Sequence, residues 1–158
     1  MKKLVLFFHC LAVMLLSGCV TTGAKFDNSV KVDSDKSALY LMRQSKFVGA
    51  LICRPVIIDE VEKGCLTNGG FLRVDLEPGE HVITMPKVNR SDWFKELKVN
   101  GTFNPGKIYY LEWTGELVNL NVLPMGALTN VEGETQSMLI EHTESGALSI
   151  LKGLRNSN

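Results

Sequence analysis

The side chains able to do chemistry are few and scattered. Cysteine stands at positions 10, 19, 53 and 65, and histidine at 9, 81 and 142. Neither His81 nor His142 has a second His or a Cys at ligand spacing, and there is no H-E-x-x-H pair. An activated nucleophile needs a base in reach, yet no G-x-S-x-G elbow and no Ser, His, Asp order appears. Gly69-Gly70 lacks the Lys-Ser/Thr that completes a phosphate-cradling loop. Asp59, Glu60 and Glu62 crowd one turn. Carboxylates there stay solvated, whereas acid–base work needs a cleft that shifts their pKa; a weak calcium site is the lesser reading. His81, beside Glu80, is the position for a lone metal or proton site, although a strand histidine hydrogen-bonded near its turn is commoner. The aromatic residues offer binding instead. Trp93 and Phe94 follow Arg90 in a polar loop, and Tyr109, Tyr110 and Trp113 share one strand. Trp and Tyr at a surface suit glycan stacking or a protein contact; inside, they fill a core. Arg90, Trp93 and Phe94 are therefore the candidate partner-binding residues.

The most specific arrangement is at the amino terminus. Met1-Lys2-Lys3 is basic, Leu4 to Leu16 is apolar except for His9, and Leu16-Ser17-Gly18 leads into Cys19. A basic start, a short apolar run and small residues at a cut site describe a secretory signal. The run is too short to span a bilayer, which takes about 20 apolar residues. Leu16-Ser17-Gly18-Cys19 resembles the lipobox of bacterial lipoproteins. That resemblance implies a diacylglycerol on the Cys19 thiol, removal of residues 1–18, and acylation of the new amino terminus. Two or more acyl chains hold a protein stably, at about 0.8 kcal/mol per buried methylene. In the Gram-negative pattern an Asp after the Cys favours the inner membrane. Val20 stands there instead, which implies the outer membrane, facing the periplasm.

Composition bounds the rest. The 158 residues leave one domain once 1–18 are gone, and Lys2 and Lys3 go with them, leaving 15 basic against 17 acidic residues. That balance offers no nucleic-acid site and no electrostatic hold on a membrane; lipid makes the contact. Cys53 and Cys65 remain as a possible disulfide in an oxidising compartment. They flank a hairpin turning near Asp59 to Glu62. A two-residue loop at Glu60-Val61 would set them on opposite faces, and a three-residue loop on one face, diagonally. Two small buried thiols are the other reading.

Val20 to Lys36 is polar and reads as a flexible tether, so the domain proper is 37–155. From Ser37 the pattern is short strands: Ala38–Arg43, Leu51–Asp59, Lys63–Leu66 and Phe71–Leu76, the last with Leu72, Val74 and Leu76 inward. Pro78-Gly79 and Pro105-Gly106 are type II turn signals. They introduce strands at His81–Met85 and Ile108–Trp113, with Lys95–Val99 between them. One more strand lies in Gly115–Val122, a loop covers Leu123–Gly133, and Gln136–His142 is the last strand. Thr143 caps a helix over Glu144–Arg155, with Ala147, Leu148, Leu151 and Leu154 on one stripe. The fold class is mainly β: an antiparallel β-sandwich or partly closed barrel with a short C-terminal helix.

Arg43-Gln44-Ser45-Lys46-Phe47-Val48-Gly49, then Ile58-Asp59, Asn68-Gly69-Gly70-Phe71, Pro78-Gly79-Glu80-His81 and Gly106-Lys107-Ile108-Tyr109-Tyr110 occur in that order. The series resembles an uncharacterised domain common in bacterial lipoproteins, similar in style to small PEGA-like β-sandwiches, and covers about Ser37 to Leu154. Asp59-Glu60-Val61-Glu62 departs from it, since the family usually has Asp-Gly at that turn. The resemblance implies a fold and a cell-envelope setting and brings no catalytic residues and no cofactor. The expected function is a membrane-anchored, non-enzymatic interaction or structural module. Its partners would be membrane lipid through Cys19 and an envelope protein or peptidoglycan, met through loops 86–94 and 123–134. The alternative is a periplasmic metal-binding protein or hydrolase using His81 and its acidic neighbours.

Overall fold

A computed structural model of the chain describes residues 23–90, 92, 94–118 and 134–158. Its elements in order are β1 (Ser37–Arg43), β2 (Arg54–Ile58), β3 (Val61–Leu66), β4 (Gly70–Leu76) and β5 (Gly79–Met85). There follow β6 (Leu97–Phe103), β7 (Ile108–Val118), β8 (Glu134–Glu141), α1 (Glu144–Leu151) and β9 (Arg155–Asn156). Two sheets pack face to face, one ordered β8-β7-β1-β4-β9 and the other β3-β2-β5-β6. The mainly β sandwich with a short C-terminal helix is thus observed, without barrel closure among the described residues.

Between the sheets, Leu39, Leu41, Val56, Ile58, Leu72, Val74, Leu76, Ile83, Met85 and Trp113 form the core. Leu72, Val74 and Leu76 point inward, as their alternation requires. A second cluster covers the other face of the larger sheet. There Tyr40, Met42, Phe71 and Tyr110 pack against Ala147, Leu151 and Leu154. β1 is therefore buried on both faces, which is why Ala38 to Met42 is continuously apolar and not alternating.

Two expectations are corrected here. Pairing is not wholly antiparallel: β1 runs parallel to β7, Leu39 opposite Tyr109, and β9 runs parallel to β4. Alternation within a strand reports its faces, not its neighbours. The helix stops at Leu151, and Gly153 precedes a turn into β9 instead of continuing to Arg155. Thr143 does cap it, accepting from the Gly146 amide at 3.4 Å.

The segment read as a tether is partly docked. Phe26 packs edge-on to Tyr40 and Phe71, with ring centroids 5.5 and 5.9 Å away. Lys25 bridges to Arg155, and the Asn156 amide donates to the Ala24 carbonyl at 2.8 Å. One aromatic side chain among polar neighbours is enough to seat this stretch on the sheet.

Candidate functional site

Register places three connections at one end of the sandwich. β1 ends there at Arg43, β2 begins at Arg54, β4 begins at Gly70, and Met85 of β5 pairs with Leu97 of β6. The described residues of 44–53, 67–69 and 86–96 thus meet at that end, and β7 runs past Arg43 toward it. Residues 123–133, expected as a loop, lie outside the described residues.

Residues 44–53 form a built projection. Two successive turns are closed by Ala50 N–H to Phe47 O at 3.2 Å and Ile52 N–H to Gly49 O at 3.0 Å. Gly49 sits at φ 75°, where a side chain would be strained. Arg43, buried beneath, donates to the carbonyls of Ile52 at 2.5 Å, Gly49 at 2.7 Å and Leu66 at 3.3 Å. The Lys46 amide donates to Asn68 Oδ1 at 2.9 Å and its Nζ to Thr114 Oγ1 at 2.7 Å. Above this support, Phe47 is 97% exposed, Leu51 87% and Val48 59%.

Under the same loops lies a buried charged cluster. Arg54 and Asp92 are fully buried and paired, with Nη2 2.9 Å from both carboxylate oxygens. Asp92 also accepts from the amides of Val88 at 3.0 Å and Phe94 at 3.1 Å, so it shapes the 86–96 connection. The guanidinium carbons of Arg43 and Arg54 lie 5.0 and 5.1 Å from the Trp113 ring centroid, within cation–π range. Burial, then the neighbouring Arg54 charge, pull the Arg43 pKa down to about 10, while Asp92 pushes it back up. Burial likewise lowers that of Arg54, opposed by Asp92.

The candidate binding residues divide. Arg90 is exposed, and Trp93 lies outside the described residues. Phe94 is corrected: it is only 6% exposed and stands edge-on to Trp113 at 5.2 Å. It enters the core because Gly115 leaves room: a Cβ at Gly115 would collide with the ring of Phe94. Tyr110 and Trp113 are likewise core residues.

Cys53 and Cys65 are joined, with Cα atoms 5.5 Å apart. Two features bring them together. The hairpin turns through Asp59 and Glu60, both at positive φ as a type I′ turn requires, instead of Glu60-Val61. That two-residue loop alone would set Cys65 opposite Arg54, on the wrong face. A bulge at Lys63 slips the pairing by one residue, so Cys65 opposes Pro55 and shares a face with Cys53.

His81 lies at the opposite end of the sandwich. Its Nδ1 meets the Asp59 carboxylate, and its Nε2 lies 2.7 Å from the Glu77 carbonyl. Burial lowers its pKa, but the bonds to Asp59 and Glu77 outweigh that, and the net shift is upward. The Val82 amide and then His81 hold Asp59 below the usual carboxylate range. His142 pairs with buried Glu112 at 2.9 Å, and Gln44 occupies that carboxylate's other oxygen. Among the described residues, no three His, Cys, Asp or Glu side chains are grouped to hold a metal ion.

Sequence reasoning missed Arg43 and Arg54. The available signal was an Arg at the inward end of an apolar strand, Leu41-Met42-Arg43, and another opening the run Pro55 to Ile58. Cys19 lies outside the described residues. Among those described, no helix is long and apolar enough to cross a membrane.

No curated protein matches the chain in sequence. A family model does, over residues 33–125, spanning β1 through β7 and the three connections described above. The chain belongs to the family described as "Protein of unknown function (DUF2846)".

Proposed function

We propose that this chain is a lipid-anchored, non-enzymatic interaction or structural module of the bacterial cell envelope. It is held by an acylated Cys19 at the periplasmic face of the outer membrane. One observation carries the reading: Lys2-Lys3, an apolar run to Leu16, then Ser17-Gly18-Cys19, in the order a lipoprotein signal requires. The likeness to small PEGA-like sandwiches fits this setting. We place no reaction at His81, because both of its ring nitrogens already face protein acceptors. The supported role is to hold a face of the sandwich to an envelope protein or peptidoglycan.

The test is fractionation of cells carrying Cys19→Ala. Release of the protein into the soluble fraction, or accumulation with residues 1–18 attached, supports the anchor. Unchanged membrane association and processing contradict it.

A further inference from the structure

We infer that the tip formed by Phe47, Val48 and Leu51 seats in the same bilayer leaflet that the acylated Cys19 occupies, giving the domain a second membrane contact and a fixed orientation. The inference rests on the anchored reading above and deepens it. Its occupant is the bilayer surface.

The first support is how the tip is built. A flexible loop would fold Phe47 and Leu51 back onto the sandwich to remove them from water. Here a buried arginine, a disulfide at the loop's base and two tight turns hold them outward. Three apolar side chains, 97%, 59% and 87% exposed, stand within five residues of one projection, where exposed apolar groups mark an interaction or membrane site. An aromatic and two aliphatic residues on a narrow tip suit insertion at the headgroup boundary.

The second support is where the chain enters the domain. Gly23 packs on the Asn156 backbone, and Arg155 of β9 is in register with Gly70. The Arg155 amide donates to Gly69 O at 3.2 Å, and Ser45 stands on the other side of Gly69. The entry point and the apolar projection therefore flank one turn, residues 67–69. Four Cα steps separate Cys19 from Gly23, a reach of at most about 14 Å. An anchor on so short a lead brings this end of the sandwich down to the leaflet.

The third support is charge. The chain is nearly neutral overall, but its charges are segregated. On 44–53 and 86–96 the exposed charges are Lys46, Lys87, Arg90 and Lys95 against Glu96 alone, since Asp92 is buried on Arg54. The far end carries exposed Asp33, Asp35, Asp59, Glu60, Glu77 and Glu80 against exposed Lys107, with half-buried Lys36 paired to Glu77. An anionic leaflet attracts the first end and repels the second.

The experiment places a benzophenone photocrosslinking amino acid at position 47 of the full-length protein in intact envelopes, with a second version at Glu80 as control. After irradiation the protein is extracted and its peptides are weighed. A phospholipid adduct on the peptide containing residue 47, and none at residue 80, is the expected result. An adduct to another protein, to glycan, to residues of this chain, or to the acyl group on Cys19 would overturn it, as would no adduct. The mass of the peptide beginning at Cys19, from the same sample, shows whether the anchor exists. Anchor failure and tip failure are thus distinguished. Phe47→Asp with Leu51→Asp should abolish domain protection by vesicles of phosphatidylethanolamine and phosphatidylglycerol against added protease, with no change in Tm. Protection equal to wild type would also overturn the inference.

Discussion

Replacing Asp92 by Asn keeps shape and removes one charge at the point where both loops of the basic end are held. In the native protein that carboxylate neutralises Arg54 and stands close enough to raise the Arg43 pKa. Without it, two guanidinium groups face Trp113 and Arg54 has lost its carboxylate partner. Breaking a buried ion pair costs about 3–5 kcal/mol, because the surviving charge stays buried. The Asn carbonyl still accepts one hydrogen bond, which returns about 1 kcal/mol, leaving a net loss of about 2–4 kcal/mol. In a domain of this size that lowers Tm by roughly 10 °C. The assay is urea unfolding at pH 7 on the disulfide-intact protein. Arg54→Met in the same background removes the stranded charge, so the double variant should recover part of the loss. A fall below about 1 kcal/mol for Asp92→Asn, or a double variant that loses the sum of both singles, would mean that Asp92 does not hold the buried arginine charge.

Other consequences follow from the same contacts. Cys53→Ser with Cys65→Ser should lower stability by about 3 kcal/mol, the usual value for a loop this short, measured by urea unfolding; no change would mean the bond does not constrain the chain. His81 has a folded pKa above its ordinary 6.5, so its contribution is full below that value and disappears as pH rises through the raised one. Asp59 is shifted below 3.8, so its contribution is full above that value and disappears as pH falls through the lowered one. The pair is thus worth most between about pH 4 and 6.5, and stability should fall by less than about 1 kcal/mol from pH 6 to 8. His81→Gln should flatten that slope, as followed by Tm against pH. Gly115→Ala should cost about 1–3 kcal/mol by displacing Phe94, and should change the near-ultraviolet circular dichroism signal of Trp113; an unchanged Tm would show that Phe94 has room to move.

Much of the sandwich was legible because its strands announce themselves locally. Leu72, Val74 and Leu76 alternate, and Pro78-Gly79 and Pro105-Gly106 punctuate neighbouring strands. What sequence could not show is what depends on distant partners. The parallel meeting of β1 and β7 joins residues about seventy apart, and nothing in either strand encodes it. The Cys53–Cys65 geometry turned on a single bulge at Lys63, a residue with no turn chemistry of its own. Phe94 read as a loop aromatic because the vacancy that receives it lies at Gly115, on another strand. Arg43 and Arg54 were overlooked because charge in a strand argues for solvent until a buried carboxylate and backbone carbonyls are found to receive it. The charge balance also concealed that cations outnumber acids on the 44–53 and 86–96 connections, since composition counts charges without placing them.

On the proposed anchor, Cys19 becomes the first residue of the mature chain and carries lipid. Intact mass spectrometry of the protein extracted in detergent from envelopes tests it most directly. The expected mass is that of residues 19–158 plus a diacylglyceryl group and an amide-linked acyl chain, all lost in Cys19→Ala. A mass matching an unmodified chain, or an amino terminus at any other residue, would contradict it.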